Sequence, residues 1–358
     1  MTAVAELIPL LSEGYEEKCI ELGIIQRKRA FKNPADLMML CLFHLINECS
    51  LMDVSEVARL LKIGEFSDVA FMDKFGQCGA WFEWIAQRIA RGIVADFPKP
   101  SYLEAYRVMA VDASDVVEKG RSGQSYRLHY AIDIFKMNTA QYKITTQEVG
   151  ESLVNFEVNC GDLIIADRAY GTVNGIGHCI DSGADYILRL RTNCFKIYNE
   201  QGKPLDMLGL LEGLDYEQSK EFSGAIRYRN RMIPVRICAK RKSCEACQTS
   251  LKKLRRKAGK QQRILGSKTV LMNEYITLAT SLSTDITADE VLETYRYRWQ
   301  IECYFKRLKS IMNLGDLPKK RKTSSLSWLN GKIMVALLME MLLSKRSFSP
   351  EVICQSGT

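Results

Sequence analysis

The chain has no run of 18 uninterrupted apolar residues, which argues against a simple membrane-spanning helix of about 20 apolar residues. The nearest candidate, Trp328 to Leu343, carries Lys332 and Glu340 and reads as a buried amphipathic helix. The N-terminus, Met-Thr-Ala-Val-Ala-Glu, has no basic region before its apolar stretch, so a secretory signal is not expected. A cytoplasmic location without a membrane partner follows, and the twelve cysteines are then reduced thiols by default. A Gly-x-Ser-x-Gly elbow is missing, so a Ser–His–Asp hydrolase is unsupported. Cys244-Glu-Ala-Cys247, with Cys238 upstream, lacks the second Cys-x2-Cys pair that would make a persuasive zinc site. No internal repeat is visible.

What is present is an ordinary globular composition, 47% hydrophobic and 26% charged over 358 residues. That length suits about two domains of roughly 150 residues. The net charge of +8 is unevenly spread. Residues 1–100 hold 11 Lys and Arg against 14 Asp and Glu, and residues 101–190 hold 8 against 12. Residues 191–286 reverse this with 19 against 9, and residues 287–358 hold 12 against 7. A basic back half suits a polyanion, because cations that neutralise phosphates release condensed counterions. A solvated basic face is the plainer alternative.

Four regions are expected. Residues 1–100 read as helical. Pro34 sits near the start of an apolar helix over 35–47, where its missing N–H costs little. Ser55 is a candidate cap for a second helix ended by Gly64, and Ser67 opens a third, a pattern that fits a helix-turn-helix or a plain bundle. Phe97-Pro-Lys-Pro100 reads as a linker. Residues 101–190 change to strand periodicity, with strands expected at Tyr106–Val111, Tyr126–Phe135, Tyr142–Val149, Asp162–Ala166 and Asp185–Leu190. A helix at about 171–182 completes a mixed α/β sheet. Residues 191–286 read as a β-rich insertion, with strand-like pieces at 195–198, 225–228, 233–238 and 275–279. It holds a flexible basic loop containing Lys252, Lys253, Arg255, Arg256 and Lys257. Residues 287–313 read as one long helix capped by Thr287, with the C-terminal helical region running to 358.

That helix carries Tyr295, Arg298, Glu302 and Lys309. At 100° per residue the four fall within about 60° of arc, beside the apolar stripe of Ile301, Phe305, Leu308 and Met312. A carboxylate at the edge of a buried face and flanked by cations suits a cleft, although Arg298 and Glu302 also have the spacing of a simple ion pair. Asp112 follows the apolar stretch Val108-Met-Ala-Val111, and Asp167 follows Leu163-Ile-Ile-Ala166. Acids at strand ends lie where clefts form in α/β sheets, though each could also cap the next element. Three such acids form a coherent set whose hard oxygens select Mg²⁺ or Mn²⁺. Two such ions would suit phosphoryl transfer.

Tyr295-x2-Arg298-x3-Glu302-x6-Lys309, with Trp299 between, resembles the signature of the "IS-four" family of insertion-sequence transposases. Asp112 in Val-Asp-Ala-Ser and Asp167 in Ala-Asp-Arg-Ala-Tyr resemble that family's two catalytic aspartates. The resemblance covers about residues 104–340. It implies a ribonuclease-H-like core with a β-strand insertion before the Glu. It also implies catalysis of cut-and-paste transposition by Asp112, Asp167 and Glu302 with two Mg²⁺ or Mn²⁺ ions. The implied partners are double-stranded DNA, namely the terminal inverted repeats and the target, and a second copy of the chain in a synaptic dimer. Arg298 and Lys309 would then hold phosphates and Tyr295 would orient the backbone. Arg168 and the basic stretch of the insertion would make further DNA contacts. Two readings stay open beside it. The short tail, Ser347 to Thr358, allows an inactive DNA-binding derivative, and the same core could serve a structure-specific nuclease. His129, near Asp112 along the sheet, and His44 are expected as core histidines, Asp133 as structural and Asp115 as a secondary acid. Glu151 could approach the cleft.

Overall fold

The computed structural model describes residues 2–26, 31–93, 97–118, 125–191, 195–318 and 321–345. The tail from Ser347 to Thr358 lies outside them. Helices come first: α1 (Thr2–Leu7), α2 (Tyr15–Glu21), α3 (Pro34–Asn47), α4 (Leu51–Leu60), α5 (Asp68–Gln77) and α6 (Gly79–Gly92). Their starts are written in the sequence. Asn33 accepts the Asp36 N–H ahead of Pro34, and Ser67 accepts the Ala70 N–H. The cap of α4 is Ser50, in a reciprocal box with Asp53, and not Ser55, whose hydroxyl donates back to the Leu51 carbonyl.

The sheet follows: β1 (Arg107–Glu118), β2 (Ser125–Asp133), β3 (Asn138–Thr146), β4 (Asp162–Ala166), α7 (Val173–Asp181) and β5 (Asp185–Arg189). Then come β6 (Ile197–Tyr198), α8 (Met207–Leu211), β7 (Ser219–Tyr228), β8 (Arg231–Arg241), α9 (Cys244–Lys260), α10 (Ser267–Met272) and β9 (Tyr275–Thr280). The chain closes with α11 (Ala288–Arg296), α12 (Trp299–Ile311), β10 (Asp316–Leu317) and α13 (Lys322–Lys345). The strand order is β3-β2-β1-β4-β5-β9-β8-β7-β6, with β10 added beside β1. β1, β2 and β3 are antiparallel neighbours, while β4 and β5 run parallel to β1. β9 joins β5 antiparallel, so the strands of the insertion extend the same sheet.

Within residues 101–190 two strands differ most from expectation, and β7 and β8 of the insertion are longer than the pieces expected at 225–228 and 233–238. β1 continues seven residues past Val111, because β2 stays paired with it from Met109 to Val117 through the polar run Asp112–Asp115. β3 starts and ends earlier than Tyr142–Val149. The basic stretch, expected as a loop, is helix α9. Cys247 and Ala258 are buried, Leu251 and Leu254 half-buried, and Lys252, Lys253, Arg255, Arg256 and Lys257 all lie exposed around the rest of the helix.

The sheet has two covered faces. Val108, Ala110, Leu163, Ile165 and Ile187 join one core with the N-terminal helices, α12 and α13, while Met109, Val111, Ile164, Ala166 and Leu188 join the other with α7. α13 is the hub of the first. It is apolar nearly all round rather than amphipathic: by length and composition it could cross a membrane, yet two-thirds of it is buried in protein. A Cβ on Gly331 would stand 2.6 Å from Leu45 Cδ1, so glycine sets how closely α13 meets α3. Lys332, buried on α13, donates to Glu48 at 2.6 Å, a pair whose rupture would strand a buried charge.

A polar cluster ties α12 to the sheet inside this core. Tyr130 on β2 donates to Tyr304 on α12 at 2.6 Å and meets Thr139, and Tyr142 donates to Asn330 at 3.3 Å. Glu340 closes the cluster with one carboxylate oxygen buried and without a hydrogen-bond partner among the described residues. Burial pushes its carboxyl up to about 7, against the pull of Arg307 and Tyr304. The folded state therefore binds this proton more tightly than the unfolded chain. Stability is retained below about pH 4.5 and lost as the pH rises to about 7, by on the order of 3 kcal/mol. Melting curves of wild type and Glu340→Gln should diverge across that window in favour of the variant, then run parallel. A difference independent of pH would contradict the burial of an ionisable carboxyl here.

Candidate active site

Register brings the two aspartates together. β1 and β4 pair in parallel up to Val111↔Ala166. One step further the chain places Asp112 beside Asp167, separated by one inter-strand spacing of about 4.8 Å. Alternation along each strand decides the face. Asp112 follows Val108 and Ala110, and Asp167 follows Leu163 and Ile165, so both project toward the side packed by α12. Arg189 at the end of β5 follows Ile187 onto the same side and stands 3.8 Å from Asp167. Asp112 is thus an interior strand residue rather than a terminal one, but it lies where β4 stops and a cleft opens.

The helix bearing the other motif residues is not continuous. α11 ends at Arg296 and α12 begins at Trp299, with i→i−3 bonds from Tyr297 to Thr294 and from Arg298 to Tyr295 tightening the junction. Thr294 Oγ1 donates back to the Glu290 carbonyl at 2.7 Å, a side-chain bond that competes with the helical ladder. Thr287 caps α11 as expected, in a box with Glu290. Despite the break, the motif still faces the acids. Tyr295 donates its hydroxyl to Asp167 at 3.2 Å. Arg298 forms an ion pair with Glu302, and its side chain is only 12% exposed. Glu302 and Lys309 line one open groove of about 540 Å³ with Asp112, Ser114 and Lys306.

The electrostatics separate the two aspartates. Burial, with Glu151 and Asp167 nearby, pushes Asp112 up to about 6, although the Ala113 N–H and Arg298 oppose it. For Asp167 burial also acts upward, but the Arg168 N–H, Arg298, Arg189 and the Tyr295 hydroxyl outweigh it and hold the carboxyl below its usual range. Adjacent carboxylates pushed in opposite directions, with a half-buried Asp112 that forms no ion pair among the described residues, make a donor set fit for a hard cation. Glu302 would have to exchange Arg298 for it. Among the described residues no three His, Cys, Asp or Glu side chains already form a metal cluster.

The insertion side of Asp167 holds Arg168 together with Arg189 and Lys242, two cations that the sequence does not single out. Arg168, expected as a DNA contact, is half-buried and pushed down by burial and by Arg189. Lys242, just past β8, is pushed down to about 8 by burial, Arg189 and Arg168. The only sequence signal for Arg189 was a cation ending an apolar strand. Gly171 keeps this corner tight: a Cβ there would fall 2.4 Å from the Arg189 carbonyl oxygen. Lys252, Lys253, Arg255, Arg256 and Lys257 do not line the groove of Asp112 and Glu302; they form a separate basic surface on α9. Glu151 does act on Asp112, as noted above. His129 is a buried histidine bonded to Thr145 at 3.0 Å and pushed down to about 4 by burial, Arg127 and Lys143. His44 is buried against Phe71 and Phe75, Asp133 accepts backbone N–H groups of Phe135 and Lys136, and Asp115 pairs with Arg127.

A mixed sheet that sets two acids side by side under a helix carrying a third is an arrangement compatible with phosphoryl transfer, and a family model assigns the class. The model described as Transposase DDE domain matches residues 104–338, more than half of the chain, and the chain belongs to that family. It is a transposase, an enzyme of DNA cleavage and strand transfer whose chemistry depends on a divalent metal. InsL of insertion sequence element IS186A from Escherichia coli (strain K12) is 27% identical over 325 residues, covering 89% of this chain and 87% of the relative. The transposase for insertion sequence element IS421 from Escherichia coli is 27% identical over 326 residues with the same coverage. The transposase for insertion sequence element IS231F from Bacillus thuringiensis subsp. israelensis is 24% identical over 204 residues, covering 52% of this chain and 42% of the relative.

Arg298 distinguishes a working cation from a plain helix pair. Arg298→Lys keeps the charge but loses the planar fork. Melting should stay normal while DNA cleavage slows by about tenfold or more, a loss of about 1.4 kcal/mol in the transition state. Unchanged melting with unchanged cleavage would leave Arg298 as a partner of Glu302 alone.

Proposed function

We propose that this transposase excises and inserts an insertion sequence by cut-and-paste chemistry, with Asp112, Asp167 and Glu302 as the acids that hold two Mg²⁺ or Mn²⁺ ions. The observation that carries this reading is the register of β1 and β4, which puts Asp112 and Asp167 side by side facing the helix of Glu302. When bound, such ions supply activation of an attacking oxygen and stabilisation of a leaving one. The antiparallel β1–β3 with parallel β4 and β5 supports a ribonuclease-H-like core.

The chain's own residues do the rest. Tyr295 fixes the Asp167 carboxylate through its hydroxyl. Arg298, shared electrostatically by Asp112, Asp167 and Glu302, is placed to turn its fork to a phosphate once a cation takes over the acids. Lys309, exposed on the groove, offers a mobile point charge to the DNA backbone. The exposed face of α9 would track DNA without reading sequence, and the N-terminal helices, with capped α4 and α5 in succession, would bind the terminal inverted repeats. Two copies would synapse two ends and capture target DNA at the bacterial nucleoid.

Two measurements test the reading. Asp112→Ala, Asp167→Ala and Glu302→Ala should each lower cleavage of the element's own ends in Mn²⁺ by on the order of 10³-fold or more, while DNA binding persists. Near-normal cleavage by any one would remove that residue from the metal set. Replacing Lys252, Lys253, Arg255, Arg256 and Lys257 with glutamine should weaken binding to all duplexes alike and shrink the log–log salt slope by about one per lost phosphate contact. An unchanged slope would make the α9 face a solvated surface.

A further inference from the structure

Outside the acid site, Cys244-Glu-Ala-Cys247 is left without a role, and it forms the first turn of α9. Ser243 caps that turn by accepting the Ala246 N–H, so both cysteines stand in helical backbone. Residues i and i+3 of an α-helix lie about 5 Å apart at Cα, inside the range of about 4.4–6.8 Å that a disulfide spans. Their surroundings differ. Cys244 is exposed, its sulfur accepts from Gln248 Nε2 at 3.7 Å, and it is bonded to the hydroxyl of Tyr216. Cys247 is buried and donates to the carbonyls of Lys242 at 3.7 Å and Glu274 at 3.8 Å. Those bonds fasten α9 to the ends of β8 and β9, together with Ser250, whose hydroxyl accepts from Lys242 at 3.2 Å and from Asn273 at 2.9 Å. Burial and Glu274 push the Cys247 thiol up, while Lys242 and Arg241 favour its thiolate.

We propose that Cys244 and Cys247 form a reversible dithiol–disulfide site, open to small-molecule disulfides, whose closure loosens the seat of α9 on the sheet. Cys244, the exposed thiol, meets the reagent. Its thiolate attacks one sulfur of the incoming disulfide and that S–S bond breaks. One half leaves as a thiol, and the other stays on Cys244 as a mixed disulfide. Cys247 then gives up its proton and attacks Cys244 Sγ, expelling the second half. The protein loses two electrons and two protons, and the small disulfide takes up both as two thiols. A disulfide sulfur has no hydrogen to donate, so the Lys242 and Glu274 carbonyls lose their bonds from Cys247. The two residues lie about 60° apart around the helix, so the Cys247 sulfur also turns from the buried side toward the exposed one. Closure at this turn reaches the cations farther along α9, a consequence for DNA that rests on the reading of that face as a DNA surface. Cys41 and Cys78, both fully buried, offer a reagent no such entry.

The test exposes the full chain to oxidised glutathione, blocks the remaining thiols in denaturant and maps the peptides by mass spectrometry. Wild type should form the Cys244–Cys247 bond, reversed by dithiothreitol, while Cys41 and Cys78 stay reduced and the exposed Cys160 goes no further than a mixed disulfide. Cys247→Ser should stop with glutathione on Cys244, and Cys244→Ser should leave Cys247 free. Wild type in which both thiols stay free, or in which Cys244 stops at the mixed disulfide, would overturn the site. Hydrogen exchange reads the loosening directly: amides over 243–251 should exchange faster in the oxidised wild type, and unchanged exchange would overturn the loosening of α9. Anisotropy on duplex DNA against KCl, with EDTA present, reads the consequence. Oxidised wild type should bind more weakly, with a log–log salt slope smaller by at least about one, and Cys244→Ser should not respond to the reagent. Faster exchange with an unchanged slope, in a protein whose glutamine variants on α9 do lower the slope, would overturn the link from the disulfide to DNA. Glutamine variants without effect would instead overturn the DNA reading of the α9 face beneath it.

Discussion

Two half-buried carboxylates set side by side where β1 runs on past the end of β4 are costly to hold charged, and the rest of the site is arranged around that cost. A sheet offers no escape, because the Val111↔Ala166 pairing leaves Asp112 and Asp167 on the same face at one inter-strand spacing. The chain answers asymmetrically. Each receives a backbone N–H, but Asp167 also has Tyr295 and Arg189, while the charge of half-buried Asp112 is resisted. Arg298 serves both and also pairs with Glu302, so one guanidinium balances three acids. Such a balance suits a site that exchanges its counter-charge for divalent ions, since the cation already present is a side chain able to swing toward a phosphate.

Holding that balance requires α12 to stay where it is. Glu302 and Tyr304 are on the same helix, and Tyr304 is tied to Tyr130 and stacked on its ring with centroids 4.8 Å apart. Apolar residues Ile301, Phe305 and Leu308 press the same helix onto the sheet. α13 backs this layer and carries the N-terminal helices on its other side, through contacts as close as Gly331 against Leu45. The helical region and the catalytic sheet therefore share one continuous core, and a load applied to one can reach the other through α13.

Much of this was legible in the residues, for reasons that can be named. β4 is a short, fully buried strand, and such strands read as continuous apolar runs, so its end and Asp167 were found directly. Thr287 and Ser67 carry local capping chemistry that needs no tertiary context. The four-residue motif was legible as spacing, but its helix was not, because the break at Tyr297–Arg298 comes from i→i−3 tightening that periodicity cannot see. β1 was read too short, since pairing with β2 carries polar residues that an apolar pattern excludes. Helix α9 was hidden for the opposite reason: its narrow stripe of Cys247, Leu251, Leu254 and Ala258 is swamped by the charges around it. Arg189 is brought beside Asp167 by the β4–β5 pairing, and Lys242 toward Arg189 by the order of β5, β9 and β8, both of them long-range facts.

Metal shared by Asp112, Asp167 and Glu302, as proposed above, can be located by the damage it does. Iron(II) can replace magnesium at oxygen sites and, with ascorbate and peroxide, releases hydroxyl radicals that cut the nearest backbone. The protein loaded with iron in the presence of its DNA ends should be cut near residues 112, 167 and 302, and an excess of Mg²⁺ should suppress all three cuts together. Cutting confined to one of these segments, or scattered without regard to Mg²⁺, would contradict a shared site.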